Sequence, residues 1–109
     1  KMEKNDFILS NLISVFSVHQ YDKVYKTIIK LLKHPDFRVI ANCIEALKFY
    51  NNLNTIISIT PFLKHEDNRI KEEAWNKVVL EFDDMTEHYQ GLIYDIIVET
   101  ISEYDGWII

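Results

Sequence analysis

Residues 32–39 read LKHPDFRV, and residues 63–70, which lie 31 positions later, read LKHEDNRI. Leucine, lysine, histidine, aspartate and arginine recur at the same places, and Val39 is matched by Ile70. A repeat of this length is typical of arrays in which each small unit buries its apolar side against its neighbours. The sequence therefore predicts a repeat architecture.

The repeat continues beyond these two stretches with the spacing of a helix. Apolar or small side chains fall at every fourth residue, as one face of a helix requires, and the same pattern occurs one period earlier. The three sets are Val39, Cys43 and Leu47; Ile70, Ala74 and Val78; and Ile8, Leu12 and Phe16. We therefore expect three equivalent helices that turn these positions inward.

Further helices are predicted between and after these three. Residues 21–33 and 52–64 carry apolar sets suited to partner helices, and a sixth helix is predicted from the apolar spacing between Met85 and Ile101. Pro61 lacks an amide hydrogen, so the helix that contains it either ends near Thr60 or continues with a kink, and we favour the kink.

Capping residues mark where the three equivalent helices begin. Asp36 and Asp67 occupy the same repeat position, and Asn5 lies at the equivalent place one period earlier. The side-chain oxygen of an aspartate or asparagine accepts a hydrogen bond from an unpaired amide of the first helical turn. All three are therefore predicted N-caps.

Residues 32–47, LKHPDFRVIANCIEAL, resemble the second half of a HEAT repeat, in particular the short bacterial type related to phycobilisome-lyase repeats. The resemblance covers repeats at about 21–50 and 52–82, while flanking helices at about 5–18 and 85–104 match in pattern only. Ile40 departs from the family, which commonly has a basic residue there. The resemblance implies one all-α domain over residues 1–109, an α-solenoid of antiparallel helix pairs with about six helices and a concave surface that binds other proteins.

Composition agrees with a soluble helical protein. Hydrophobic residues make up 48% and charged residues 27% of the chain, whereas only two glycines and two prolines are present, too few for a fold with many tight turns. No apolar run is long enough to cross a bilayer. Lys1 ahead of Met2 and the apolar end at residues 107–109 are compatible with a piece of a longer array.

Charge and cysteine usage restrict the partners and the location. The formal net charge is −5, which provides no attraction to nucleic acid or to an anionic membrane. Cys43 is the single cysteine, so an internal disulfide is excluded, and a reducing, cytoplasmic location is expected.

The candidate binding residues follow from stacking the 31-residue period across the concave face. Two polar rows result, and they consist of Asn11, Asn42 and Glu73, and of Ser14, Glu45 and Asn76. A third row, Val18, Phe49 and Leu80, is apolar, and Phe49 is the residue from it that could anchor a partner. Cover by adjoining turns is the favoured interpretation of this third row.

Other residues that carry chemistry have structural interpretations. His34 and His65 recur in equivalent turns, Trp75 takes a core position, and Cys43 lies on the inward face. The acidic pairs at 72–73 and 83–84 point in different directions on a helix and are expected to be solvated. We predict no catalytic residues, no metal site and no cofactor.

The sequence thus predicts a scaffold that binds another protein, whose identity it does not specify, and it predicts neither enzyme activity nor nucleic-acid or membrane binding. Two alternatives stay open. One is a non-catalytic structural segment of a longer solenoid. The other is a HEAT-like enzyme of the DNA glycosylase or lyase type, which the resemblance allows but the acidic Glu45 and Glu73 disfavour.

Overall fold

The described residues contain six α-helices and four short 3₁₀ helices, and no strand occurs among them. The computed structural model describes residues 3–51 and 53–103. The helices are α1 Glu3–Phe16, α2 Asp22–Leu31, α3 Phe37–Ala46, α4 Leu53–Ile59, α5 Asn68–Glu81 and α6 Glu87–Glu103. The predicted all-α class and helix number are confirmed, while Asn52 and Tyr104, two of the predicted boundaries, lie outside the described residues.

Two compact units divide the chain, one up to Val79 and one from Leu80 onward. In the first unit α1, α2 and α3 contact one another. Its apolar core comes from every helix up to α5, through side chains that are almost completely buried: Ile13, Ile28, Leu32, Val39, Cys43, Leu47, Ile56, Ile59, Leu63, Ile70, Ala74 and Val78. Burial of side chains of this size is the main stabilising contribution to a helical domain.

The second unit contains the end of α5 and the whole of α6. A 3₁₀ turn at Phe82–Asp84 leads toward α6, and the Nε2 atom of Gln90 donates a 2.7 Å hydrogen bond to the carbonyl oxygen of Phe82. Thr86 accepts a hydrogen bond from the amide of Tyr89 with its hydroxyl, at 3.4 Å. These local contacts fix the entry of the chain into α6.

The turns that precede α3 and α5 are built alike. The Nδ1 atom of His34 accepts a 3.0 Å hydrogen bond from the amide of Asp36, and that of His65 accepts a 2.9 Å bond from the amide of Asp67. The turn role predicted for both histidines is therefore confirmed. Because Nδ1 is the acceptor in each ring, Nε2 carries the hydrogen and is left to donate elsewhere.

The aspartate that follows each histidine caps the next helix. Asp36 accepts from the amide of Arg38 at 2.9 Å, and Asp67 accepts from the amide of Ile70 at 2.9 Å. Both predicted N-caps are confirmed, since each carboxylate pairs an amide that the helix itself leaves without a partner. The cap predicted at Asn5 is wrong, because α1 already includes Glu3 and so Asn5 lies inside the helix.

Pro61 ends α4 instead of kinking it. The α-helix stops at Ile59, and residues Thr60–Phe62 form a 3₁₀ turn that contains the proline. The predicted kink is therefore wrong, and the alternative of an end near Thr60 is right. The physical reason is that proline offers no amide to the carbonyl oxygen of Ile57, and the tighter turn avoids that missing bond.

The predicted inward face of α1 is also wrong. Ile8, Leu12 and Phe16 are 52%, 48% and 49% exposed, whereas Ser10, Ile13 and Ser17 are buried. Both serine hydroxyls donate to backbone carbonyls of their own helix, Ser10 to Phe7 at 2.8 Å and Ser17 to Ile13 at 2.7 Å. Since the hydroxyls are paired locally, these small side chains can be buried without an energetic penalty for unpaired polar atoms.

Candidate protein-binding site

The polar row residues lie on α1, α3 and α5, the three helices predicted to be equivalent. Asn11 and Asn76 are exposed, and Ser14, Glu45 and Glu73 are half-buried. Asn42 is only 7% exposed, so its predicted position at the surface is wrong. In the row of Asn11, Asn42 and Glu73, the two outer residues are thus at least partly exposed, and the central Asn42 is buried between helices.

Asn42 uses its whole side-chain amide in hydrogen bonds. Its Nδ2 atom donates to the hydroxyl of Ser10 and to Oδ1 of Asn11, both at 3.0 Å, and its Oδ1 accepts from the Nη2 atom of Arg69 at 3.0 Å. The bonded residues belong to α1 and α5, so Asn42 links α3 to both of these helices. A buried amide with every group paired is compatible with the interior and fixes the lateral register of the three helices.

Arg69 continues this network to the surface. Its Nη2 atom lies 3.4 Å from a carboxylate oxygen of Glu45, and its Nε atom lies 3.8 Å from a carboxylate oxygen of Glu73. The side chains of Arg69 and Glu45 are 47% and 40% exposed, so solvent screens their interaction. We name the set Asn11, Asn42, Glu45, Arg69 and Glu73 the polar ladder.

The carboxyl group of Glu73 is poorly stabilised in its charged form. Burial raises the pKa of Glu73, the nearby carboxylate of Glu45 raises it further, and the guanidinium of Arg69 lowers it less than these two effects raise it. Two carboxylates therefore share one arginine on this face. Such a site can accept a further cationic group or a hydrogen-bond donor from a partner.

Arg38, which is equivalent to Arg69 by the 31-residue repeat, also contacts another helix, in this case α1. Its guanidinium carbon lies 4.3 Å from the centre of the Phe7 ring, and its Nη2 atom lies 2.9 Å from a carboxylate oxygen of Asp36. The hydrogen bond from the Arg38 side chain lowers the pKa of Asp36. In the repeat Asn11 and Ser14 match Asn42 and Glu45, the acceptors of Arg69, whereas the side chain of Arg38 lies against Phe7 and Asp36.

The residues of the predicted apolar row differ in exposure. Val18 is 50% exposed, Phe49 is half-buried, and Leu80 belongs to the second unit and is exposed. The favoured prediction of cover by adjoining turns is therefore wrong for Val18 and Leu80. Phe49 contacts the ammonium group of Lys48, whose nitrogen lies 5.3 Å from the ring centre.

The other candidates have structural contacts. Trp75 is half-buried and donates its indole hydrogen to the carbonyl oxygen of Leu63 at 2.9 Å, which pairs a backbone group after α4. Burial raises the pKa of the Cys43 thiol to about 12, so it is a poor nucleophile at neutral pH. Within residues 3–51 and 53–103, no group of three or more histidine, cysteine or acidic side chains is arranged to hold a metal ion.

Sequence reasoning missed two cations that join helices. Lys77 is 2% exposed, and its Nζ atom donates to the carbonyl oxygen of Tyr50 at 2.9 Å and to Oδ1 of Asn51 at 3.4 Å. Arg69 recurs with Arg38 in the 31-residue repeat, but recurrence in the sequence does not reveal which neighbouring residue the Arg69 side chain reaches. The only available signal was that Arg69 stands four residues before Glu73, which favours a side-chain pair.

None of the helices in the described part of the chain is both long and apolar enough to cross a membrane. Comparison of the sequence and structure with models of known protein families, with curated proteins and with solved structures gave no match.

Proposed function

We propose that this chain is a protein-binding scaffold, built as a short α-solenoid of the HEAT type, that contacts its partner through the polar face of α1, α3 and α5. The observation that carries the proposal is the polar ladder, which joins side chains of three successive second helices in one hydrogen-bonded set. A surface held in place in this way loses little side-chain entropy on binding.

The solenoid arrangement is supported by contacts that recur after 31 residues. The His34 and His65 turns, the Asp36 and Asp67 caps, and the burial of Val39 with Ile70 all repeat. In a solenoid the second helices of successive pairs lie side by side, which is the relation that Asn42 and Asn11 require.

The accessible part of the face decides which chemistry a partner needs. Asn11, Ser14, Glu45 and Asn76 are reachable by solvent, and Phe49 adds a partly exposed ring near one edge. Acceptor groups and carboxylates predominate, so we propose a partner segment that offers lysine, arginine or backbone amide donors. Binding of nucleic acid is not proposed, since phosphates would meet Glu45 and Glu73.

Photo-crosslinking tests this assignment. A benzophenone amino acid at position 76, on the exposed polar face of α5, is expected to capture a discrete protein in extracts of the source cells. The same group at position 26 on α2, where the side chain is 75% exposed, serves as the matched control. Capture at position 26 but not at position 76 would contradict the proposed face.

Variants then separate binding from folding. Charge reversal of Glu45 and Glu73 is unsuitable, because the new lysines would lie beside Arg69. Asn76→Arg instead places bulk and positive charge on the exposed face, and it should abolish the capture by a probe at Ser14 while the melting temperature stays within a few degrees. Lys26→Glu, at the control position, should change neither.

The alternative of a structural segment in a longer solenoid has one observation in its favour, the exposure of Ile8, Leu12 and Phe16 on α1. A segment of that kind would yield no partner at the polar face in the crosslinking experiment. Enzymatic activity of the glycosylase or lyase type has no comparable observation, and we propose that the chain is not catalytic. Filter binding to DNA at low salt is expected to show no retention.

A further inference from the structure

An open apolar groove of about 630 Å³ lies between α1 and α2. Leu9, Leu12 and Phe16 line it from α1. The other wall is formed by Tyr21, which directly precedes α2, and by Val24 and Thr27 of α2. These side chains are different from those of the polar ladder, although α1 contributes to both. The last ten residues of α1, 7–16, contain no charged side chain.

The 31-residue repeat shows what this groove corresponds to inside the molecule. Leu9, Leu12 and Phe16 match Ile40 and Cys43 of α3 and Leu47, which directly follows α3, and these three matching side chains are at most 5% exposed. Val24 on the other wall matches Thr55 of α4, which is completely buried. The groove is therefore the exposed copy of a site that is filled one repeat later.

One of the helices that pack on α3 is α2. Its Ile28 and the following Leu32 are buried, and its Tyr25 ring lies 5.1 Å from the ring of Tyr50. The hydroxyl of Tyr50, just beyond α3, donates to the carbonyl oxygen of Tyr21, just before α2, at 3.0 Å. The end of α3 thus meets the start of α2, so the two helices run antiparallel.

From this correspondence we infer that the groove between α1 and α2 binds an amphipathic helix of a partner protein, antiparallel to α1, in the position that α2 holds on α3. The bound helix presents apolar side chains at the spacing of Tyr25, Ile28 and Leu32, and its opposite side is polar, as in α2. Only Asp22 and Lys23 bring charge to the described lining of the groove, with opposite signs, so apolar burial provides the attraction.

This site is separate from the polar face of the proposed function, and either can fail alone. The probe is a synthetic peptide with the sequence of residues 20–35, labelled with a fluorophore and cross-linked between positions 26 and 30 to hold the helix. Both positions are exposed in α2, one turn apart. Fluorescence anisotropy should show saturable binding to the intact chain, and a peptide with Ile28→Asp should bind at least ~10-fold more weakly.

Variants of the chain locate the binding site. Leu12→Asp replaces a groove residue that is half exposed, so the fold should persist, and it should weaken the peptide at least ~10-fold. Val79→Asp is the matched control, because Val79 is 71% exposed on α5 and does not line the groove. If Leu12→Asp alters the helical spectrum, Phe16→Ser takes its place in the same comparison.

Three outcomes would overturn the inference. The first is the absence of saturable binding, and the second is binding that Leu12→Asp leaves unchanged, which would mean that the peptide displaces α2 from α3. The third is a chain that sediments as a dimer which Leu12→Asp dissociates, since the groove would then be covered by a second copy. Failure of the crosslinking at position 76 would leave all these results unaffected.

Discussion

The Nε2 atom of His34 lies 2.9 Å from a carboxylate oxygen of Asp6, and this hydrogen bond connects α1 to the turn before α3. One repeat later the place of Asp6 is taken by Phe37, whose ring packs edge-on against His65 with 4.8 Å between the ring centres. The turn before α3 is thus held to α1 by a hydrogen bond, and the equivalent turn before α5 is held to α3 by an aromatic contact.

Removal of the Asp6 acceptor should loosen α1. Asp6→Ala leaves the Nε2 donor of the largely buried His34 without its partner and should lower the free energy of unfolding by ~1 to 2 kcal/mol. Asp6→Asn keeps an oxygen acceptor and should stay close to the unsubstituted chain. Urea titration measures both, and an equal loss in the two variants would show that the hydrogen bond is not what matters.

The capping aspartates give a second prediction. Asp36→Ala and Asp67→Ala should each cost ~1 kcal/mol, whereas Asp84→Ala, at an exposed position in a 3₁₀ turn, should cost almost nothing. Because the pKa of Asp36 is lowered in the folded state, its stabilising effect exists above the pKa of the unfolded chain and is lost as the pH falls. The cost of Asp36→Ala should therefore shrink in titrations at acid pH.

The third prediction concerns positions that are equivalent in the repeat but differ in burial. Leu47 and Val78 are buried, while Phe16 at the same repeat position is half exposed. Leu47→Ala should cost ~2 to 5 kcal/mol, and Ile70→Ala on the same inward face a similar amount, because each leaves a cavity in the core. Phe16→Ala should lower the free energy of unfolding less than Leu47→Ala does, although phenylalanine is larger. Thermal melts that show the reverse order would contradict the exposure of Phe16 on α1.

Cys43 predicts a dependence on alkaline pH. Burial raises the pKa of its thiol to about 12 in the folded chain, whereas an unfolded thiol ionises near ~8.5. Between these values only the unfolded state loses the proton, so stability falls as the pH rises, by at most ~1.4 kcal/mol per unit.

Comparison with Cys43→Ala isolates this effect from other groups that ionise at high pH. The destabilisation by Cys43→Ala should be largest at pH 7 and should shrink by pH 9.5, because alanine lacks the ionising group. In parallel, iodoacetamide should label Cys43 far more slowly in the folded chain than in urea. Rapid labelling of the folded chain would contradict the burial of this residue.

The effect of Glu73 on stability should depend on pH in the opposite direction from that of a typical paired carboxylate. The pKa of Glu73 is raised in the folded state, chiefly by burial, so folding favours the neutral carboxyl group. The protonated group therefore stabilises the fold below the pKa of the unfolded chain, and this stabilisation is lost as the pH rises through the pKa of the folded chain. Glu73→Gln should therefore raise the melting temperature at pH 7, with no such gain near pH 3. Glu45→Gln, which only weakens an exposed contact with Arg69, should change stability by less than ~1 kcal/mol.

The sequence patterns anticipated the inward positions of α3 and α5 well, because Val39, Cys43, Ile70, Ala74 and Val78 are apolar and almost completely buried. They failed on α1 and the residue that follows it, since Ser10 and Ser17 are buried and Leu12 is exposed. A serine hydroxyl that bonds its own helix backbone behaves as a small buried side chain, and a pattern of apolar and polar letters does not distinguish this case.

The repeat predicted that Asn11 and Asn42 lie side by side, and their hydrogen bond confirms this, whereas the predicted exposure of Asn42 is wrong. Stacking the repeat brought Asn11, Asn42 and Glu73 to one face, as the structure has them, but it could not show that Asn42 is enclosed by Ser10, Asn11 and Arg69. Whether a polar residue is exposed depends on how closely neighbouring helices approach, and that distance is set by side chains far away in sequence.

The matched turns before α3 and α5 affect how quickly the chain can fold. Each histidine bonds an amide only two residues away, and each aspartate caps a helix within three residues, so these bonds close very small loops. Contacts of such short range need little chain entropy to be surrendered before they form, and proteins rich in them reach the native state in microseconds to milliseconds. We therefore expect the two turns to form early in folding and independently of each other.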